Sequence, residues 1–206
     1  PAIVLDGANL EVTANRIIWG KSLNAGQTCI APDHLLVERK LFDSLISKLK
    51  ASINDFYGTA PLDSKHLGSI INQTQFNRLK NLITNAKNNE QIIYGGECNA
   101  SDKRISPTLI KIKDRNDQLM KEELFGPLLP ILCIDNLDQV ISDLKTLAKP
   151  LAIYLFGGEE KEQEKILSLT SSGGVCFNDV VLQEGIPELP FGGVGASGMG
   201  KYHGKA

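Results

Sequence analysis

Cysteine and histidine are the residues of this chain most suited to nucleophilic or metal chemistry, and their spacing narrows both. Cys29, Cys98, Cys133 and Cys176 stand far apart, with no C-x-x-C and no paired histidines beside them, so neither a zinc site nor a redox dithiol is expected, and no metal. Cys29 differs from the rest in its setting. Gly26-Gln27-Thr28-Cys29 falls on a turn between an amphipathic segment and an apolar run, where loops on a rigid scaffold place reactive groups. A thiolate there would attack an electrophilic carbon. Cys98 reads as part of a polar surface loop, while Cys133 and Cys176 lie inside apolar strand patterns, so these three are expected to be inert. A thiol working through a histidine base would need His34, His66 or His203, and each reads as an ordinary polar surface residue.

Two further segments carry chemistry-bearing residues. Lys121-Glu122-Glu123-Leu124-Phe125-Gly126-Pro127 sets two carboxylates before a ring and a turn. A carboxylate beside a ring can bind a sugar diol while the ring packs on a flat heterocycle, yet taken alone the segment is better read as a solvated helix end with one apolar anchor. Gly193-Val194-Gly195-Ala196-Ser197-Gly198 matches G-x-G-x-x-G by letter. A dinucleotide fingerprint must open a helix and precede an acid about 20 residues on. The sequence gives room for neither, so a loop with glycines at positive φ is expected instead.

The elements that must position these residues follow from periodicity. Apolar residues at helical spacing predict helices over 10 to about 24, over Phe42 to Phe56, around Phe76 to Ile83, over Val140 to Leu147, and over Glu159 to Leu169 with Ile166 and Leu169 inward. Short apolar runs predict strands at Pro1 to Leu5, Leu35 to Val37, Ile92 to Tyr94, Leu109 to Ile112, 128–134, Leu151 to Phe156 and Val175 to Phe177. Strands alternate with helices and long hairpin signals are lacking, which predicts one α/β domain with a mostly parallel sheet covered on both faces, a three-layer α-β-α arrangement. Leu189 to Gly204 is expected to be loop.

Composition bounds the rest. The chain has 206 residues, 42% hydrophobic and 22% charged, with a net charge of −2. That excludes disorder and a polycationic surface for nucleic acid. Its apolar runs are too short to span a bilayer. The Asn72-Gln73-Thr74 and Asn99-Ala100-Ser101 triplets match a glycosylation pattern and carry no weight.

Taken together and in order, Gly26-Gln27-Thr28-Cys29-Ile30-Ala31-Pro32-Asp33, Glu122-Glu123-Leu124-Phe125-Gly126-Pro127 and Pro190-Phe191-Gly192-Gly193-Val194-Gly195-Ala196-Ser197-Gly198-Met199-Gly200 resemble the NAD(P)-dependent aldehyde dehydrogenase superfamily. The Ala31-Pro32-Asp33 after the cysteine, with Ser171-Ser172-Gly173-Gly174 and Asn178-Asp179, is most similar to its class 3, or fatty aldehyde, branch. The likeness runs over essentially the whole chain.

The resemblance implies a Rossmann-like catalytic domain in which Cys29 attacks an aldehyde, passes through a thiohemiacetal and a thioester, and releases a carboxylic acid. It assigns Glu123 to the nicotinamide ribose hydroxyls of NAD or NADP and Phe125 to the same end of the cofactor, with Asn178 and Phe191 on the substrate side. It places the general-base glutamate, in a Glu-Leu-Gly-Gly-Lys motif, before the segment that Pro1 begins. The oxyanion asparagine and the cofactor-binding domain would lie further upstream, and an oligomerisation arm beyond Lys205. Residues 1–206 are then expected to be a catalytic domain, inactive alone, that works with that cofactor-binding domain in a cytoplasmic homo-oligomer, a dimer in the parent enzyme, with membrane anchoring of the parent left open. A relative that passes the acyl group to coenzyme A, and a non-catalytic binding or assembly domain on this fold, remain alternatives.

Overall fold

The computed structural model describes residues 1–204. In chain order the elements are β1 (Ala2–Val4), α1 (Leu10–Ser22), β2 (Leu35–Glu38), α2 (Phe42–Tyr57), α3 (Gln73–Asn88), β3 (Ile92–Tyr94), β4 (Cys98–Asn99), β5 (Arg104–Ile105), β6 (Thr108–Ile112), β7 (Leu128–Ile134), α4 (Leu137–Thr146), β8 (Ala152–Phe156), α5 (Glu160–Leu169) and β9 (Gly174–Phe177). Seven strands form one sheet in the order β3-β6-β7-β2-β1-β8-β9, parallel throughout except where β3 runs antiparallel to β6. The mostly parallel α/β sheet is as expected. The small antiparallel pair β4-β5 was not, and it places Cys98 on a strand, partly buried against the core, rather than in a polar loop.

Alternation within the apolar strands explains the layers, because successive side chains of a strand point to opposite faces. Ala2 and Val4 of β1, with Leu35 and Val37 of β2 and Ala152, Tyr154 and Phe156 of β8, join the core under α1 and α2. Ile3, Leu36, Ile153 and Leu155 join the core under α3, α4 and α5. A strand buried on both sides has to read as a continuous apolar run. That is why β1, β2 and β8 carry almost no polar residue.

Three helices begin on asparagine caps. The side-chain oxygens of Asn9, Asn72 and Asn136 accept from the N–H groups of Val12, Gln75 and Gln139 at 3.2, 2.9 and 3.0 Å respectively. Each satisfies a donor that the first helical turn would leave unpaired. Asn72, part of a glycosylation-like triplet, thus has a structural task. Among the described residues no helix is long and apolar enough to cross a membrane.

Helix α5 departs from its expected facing. Ile166 is its one buried residue, while Leu169 is 43% exposed. Ile166→Ala should therefore cost about 2–5 kcal/mol in urea unfolding, whereas Leu169→Ala should stay within about 0.5 kcal/mol; equal losses would contradict this facing of the helix.

Candidate active site

After α1 the chain makes a tight 3-10 turn over Leu23–Gly26, in which Asn24, Ala25 and Gly26 all take positive φ, at 51°, 55° and 75°. Left-handed backbone is costly for residues with a Cβ and persists where the surroundings enforce it. Gln27 supplies much of that enforcement. Its buried amide donates to the carbonyls of Asn24 and Ser69 at 3.0 and 3.1 Å and accepts from the N–H of Ile71 at 2.8 Å. The Ala31 N–H then bonds the Thr28 carbonyl at 2.9 Å, closing a turn with Cys29 and Ile30 at its centre. Cys29 is exposed.

The carboxylate segment is docked against that turn. Leu124 is fully buried, and its N–H donates to Oδ1 of Asp33 at 2.9 Å while its carbonyl accepts from the Arg78 guanidinium. A Cβ on Gly26 would stand 2.3 Å from the carbonyl oxygen of Gly126, so the two backbones meet where only glycine fits. With Leu124 turned inward, its neighbours Glu123 and Phe125 are turned outward. Phe125 has φ of 47° and is 41% exposed, and Glu122 pairs with Arg78 at 3.3 Å.

These contacts form one cleft of about 560 Å³, whose lining includes Cys29, Asp33, His34, Glu122, Glu123 and Ser197. It lies at the amino ends of the parallel strands, since Cys29 to His34 precede β2, Glu123 precedes β7 and Pro150 precedes β8. Open α/β sheets commonly bind ligands at the carboxyl ends instead.

Charge is concentrated beneath the cleft. Burial pushes Lys21 down to about 8, against the pull of Asp33 and Glu123. Burial alone would raise Asp33, but the His34 hydrogen bond, the Lys21 charge and the Leu124 N–H together hold it well below the usual carboxylate range. Glu123 is raised, first by burial and then by the Asp33 charge. Burial pushes His34 down to about 4, which corrects its reading as a surface residue: it borders the cleft, with Nδ1 3.3 Å from Asp33.

The other expected site residues are placed apart. Phe125 adjoins Glu123 but does not line the cleft. Asn178 follows the carboxyl end of β9, with φ of 56°, its Oδ1 accepting from the Gly157 N–H at 3.0 Å. Phe191 lines a separate hollow of about 170 Å³ that shares Leu151 with the cleft, and its backbone pairs with that of Tyr202 in the glycine-rich end. Cys98, Cys133 and Cys176 lie outside the cleft, and burial raises all three thiols. No metal-holding cluster occurs among the described residues. Asp33 and His34 were missed as site residues because their role depends on Leu124, 91 positions from Asp33; the only local signal was a polar pair directly before an apolar strand.

The lowered His34 value sets a direction for pH dependence. Between the ordinary 6.5 and about 4 the unfolded chain takes up a proton that the folded chain resists. The stabilisation is therefore complete above 6.5 and is lost as pH falls through about 4. Urea midpoints should drop over that interval, and His34→Gln should flatten the drop; parallel profiles for the two proteins would contradict it.

The chain matches the model of the aldehyde dehydrogenase family over residues 1–206. It is 44% identical over 205 residues to a rat protein named aldehyde dehydrogenase, dimeric NADP-preferring, covering 100% of this chain and 44% of that one. It is 42% identical to rat aldehyde dehydrogenase family 3 member A2, covering 100% of this chain and 42% of the relative. Among solved structures, the substrate-bound state of Staphylococcus aureus AldH superposes with a TM-score of 0.96 at 41% identity, over 100% of this chain and 44% of that chain. The chain thus spans less than half the length of these relatives. From its matched family model, its class 3 relatives and its superposable fold, the chain belongs to the aldehyde dehydrogenase family.

Proposed function

We propose that residues 1–206 are the catalytic domain of a class 3-like aldehyde dehydrogenase that oxidises aldehydes to carboxylic acids with NAD or NADP, and that Cys29 is its nucleophile. The observation that carries this reading is the exposed Cys29 thiol on a pinned turn, sharing one cleft with Glu123. The rat relative's name, with its NADP preference and dimeric state, supports the cofactor class and a homodimeric parent. Four free thiols suit a reducing cytoplasm.

The residues fit such a cofactor. The Glu123 carboxylate in the cleft offers acceptors for a ribose diol, and the Phe125 ring, two residues on and exposed outside the cleft lining, offers a flat apolar face. When bound, the oxidised nicotinamide supplies the acceptor for a hydride. The Cys29 sulfur, its proton lost to solvent, forms a bond to the aldehyde carbon, and the carbonyl electron pair moves to oxygen. The Cys29 N–H, which has no acceptor among the described residues, is available to that oxygen. Loss of the C–H bond with its electron pair leaves an acyl group on sulfur. Water then adds, the carbon–sulfur bond breaks, and the acid departs as the thiol is restored. Phe191 belongs to the substrate side in this reading, through the hollow adjoining the cleft at Leu151, whereas Asn178 is engaged with the Gly157 N–H at the opposite, carboxyl edge of the sheet. The deacylating base and the main cofactor-binding domain are contributed from outside these residues.

Mild iodoacetamide treatment of the chain followed by peptide mapping should label Cys29 ahead of Cys98, Cys133 and Cys176. The chain alone should show no steady aldehyde-dependent formation of reduced cofactor. Equal labelling of the four cysteines, or sustained turnover by the chain alone, would contradict the proposal.

A further inference from the structure

We infer that Tyr154 is a positioning residue for the Cys29 thiol, acting through the backbone of the turn that carries it; this rests on the reading of Cys29 as nucleophile. Tyr154 is 1% exposed in β8, beneath α1 and α2. Its hydroxyl donates to the carbonyl of Ile30 at 2.6 Å, a link between positions 124 residues apart. Ile30 is the residue after Cys29, and both form the centre of the turn closed by the Ala31 N–H on the Thr28 carbonyl. The phenol therefore fixes the Ile30–Ala31 peptide, one residue beyond Cys29, on one side of the turn. The closing bond and the Gln27 clamp fix the other.

A second contact orients the phenol itself. Gln183, on the loop after β9, donates its Nε2 to the Tyr154 oxygen at 3.2 Å. This fills an acceptor site of the hydroxyl and leaves its proton directed at Ile30. The Gln183 Oε1 is buried with no partner. An orphaned buried carbonyl is uncommon in folded proteins, and here the amide is turned so that its donor serves the phenol. Burial pushes the phenol up to about 12, so it remains a donor across neutral pH. One side chain of the sheet thereby joins the nucleophile turn to the loop that leads to Phe191.

Tyr154→Phe removes one oxygen and keeps the ring, which separates orientation from packing. A displacement of the nucleophile by about 1 Å can cost on the order of a hundredfold in rate. In the complete enzyme the substitution should lower kcat by about ten- to a hundredfold while KM for the nicotinamide cofactor stays unchanged. In the 206-residue chain it should slow iodoacetamide labelling of Cys29 and leave that of Cys98 unaltered. Gln183→Met should produce the same pattern to a smaller degree, and it provides the test should Tyr154→Phe fail to fold. Unchanged kcat and unchanged Cys29 labelling in a folded variant would overturn the inference and show that the hydroxyl only satisfies a buried carbonyl. Cys29→Ser is the separate control: full activity in that variant would overturn the nucleophile assignment, whatever the Tyr154 variants do.

Discussion

The hydrogen bond from the Leu124 N–H to the Asp33 carboxylate, with the glycine-to-glycine contact of Gly26 and Gly126 beside it, is the constraint on which the site depends. Neither the Cys29 turn nor the Glu123 segment is a helix or strand, and left-handed non-glycine backbone adjoins both, at Asn24 and Ala25 before the Cys29 turn and at Phe125 after Glu123. Such segments keep one conformation only when neighbours over-determine it. Asp33 does so at close range. It sits four residues from the thiol and grips the residue next to Glu123, so the two chemically important groups are placed by one carboxylate. His34 and Lys21 keep that carboxylate ionised despite its surroundings. The residues that touch a ligand and the residues that make the site are therefore different sets.

Placement of the cleft at the amino ends of the strands has a counterpart at the other edge. There, a Cβ on Gly157 would lie 2.5–2.7 Å from the backbone atoms of Leu5, Asp6 and Ala8, and Gly158 donates to the Asp6 carbonyl at 2.8 Å. Asn178 adds its bond to the Gly157 N–H. The carboxyl ends of β1, β8 and β9 are thus drawn together by short backbone contacts. The irregular connections before β2, β7 and β8 lie at the amino edge, and they supply the cleft lining. Loops on a rigid scaffold carry the chemistry, as elsewhere, from the less usual side of the sheet.

Most of the scaffold was legible in the sequence because its signals are local. Continuous apolar runs marked strands covered on both faces, and helical spacing marked α1 to α5. Leu169 was misread because one apolar residue at a helix end fits the inward stripe by spacing but is not covered. The β4-β5 pair, two residues per strand, is too short to show a period. The glycine-rich run at 193–198 is a loop with a 3-10 turn at Gly195–Ser197, in line with its rejection as a dinucleotide fingerprint. Cys29 and Glu123 stood out through motif resemblance. Asp33, His34 and Tyr154 did not, because each acts on a residue distant in sequence or through burial that only the fold creates.

The central claim is that the Cys29 turn and the Glu123 segment are held as one unit by Asp33. Amide hydrogen–deuterium exchange on the Asp33→Ala variant tests it directly. The account predicts faster exchange both in the Cys29 turn and across Glu122 to Gly126, with the Leu124 amide among the most affected and the central strands unchanged. Faster exchange confined to the immediate neighbours of position 33, with Leu124 as protected as before, would contradict it.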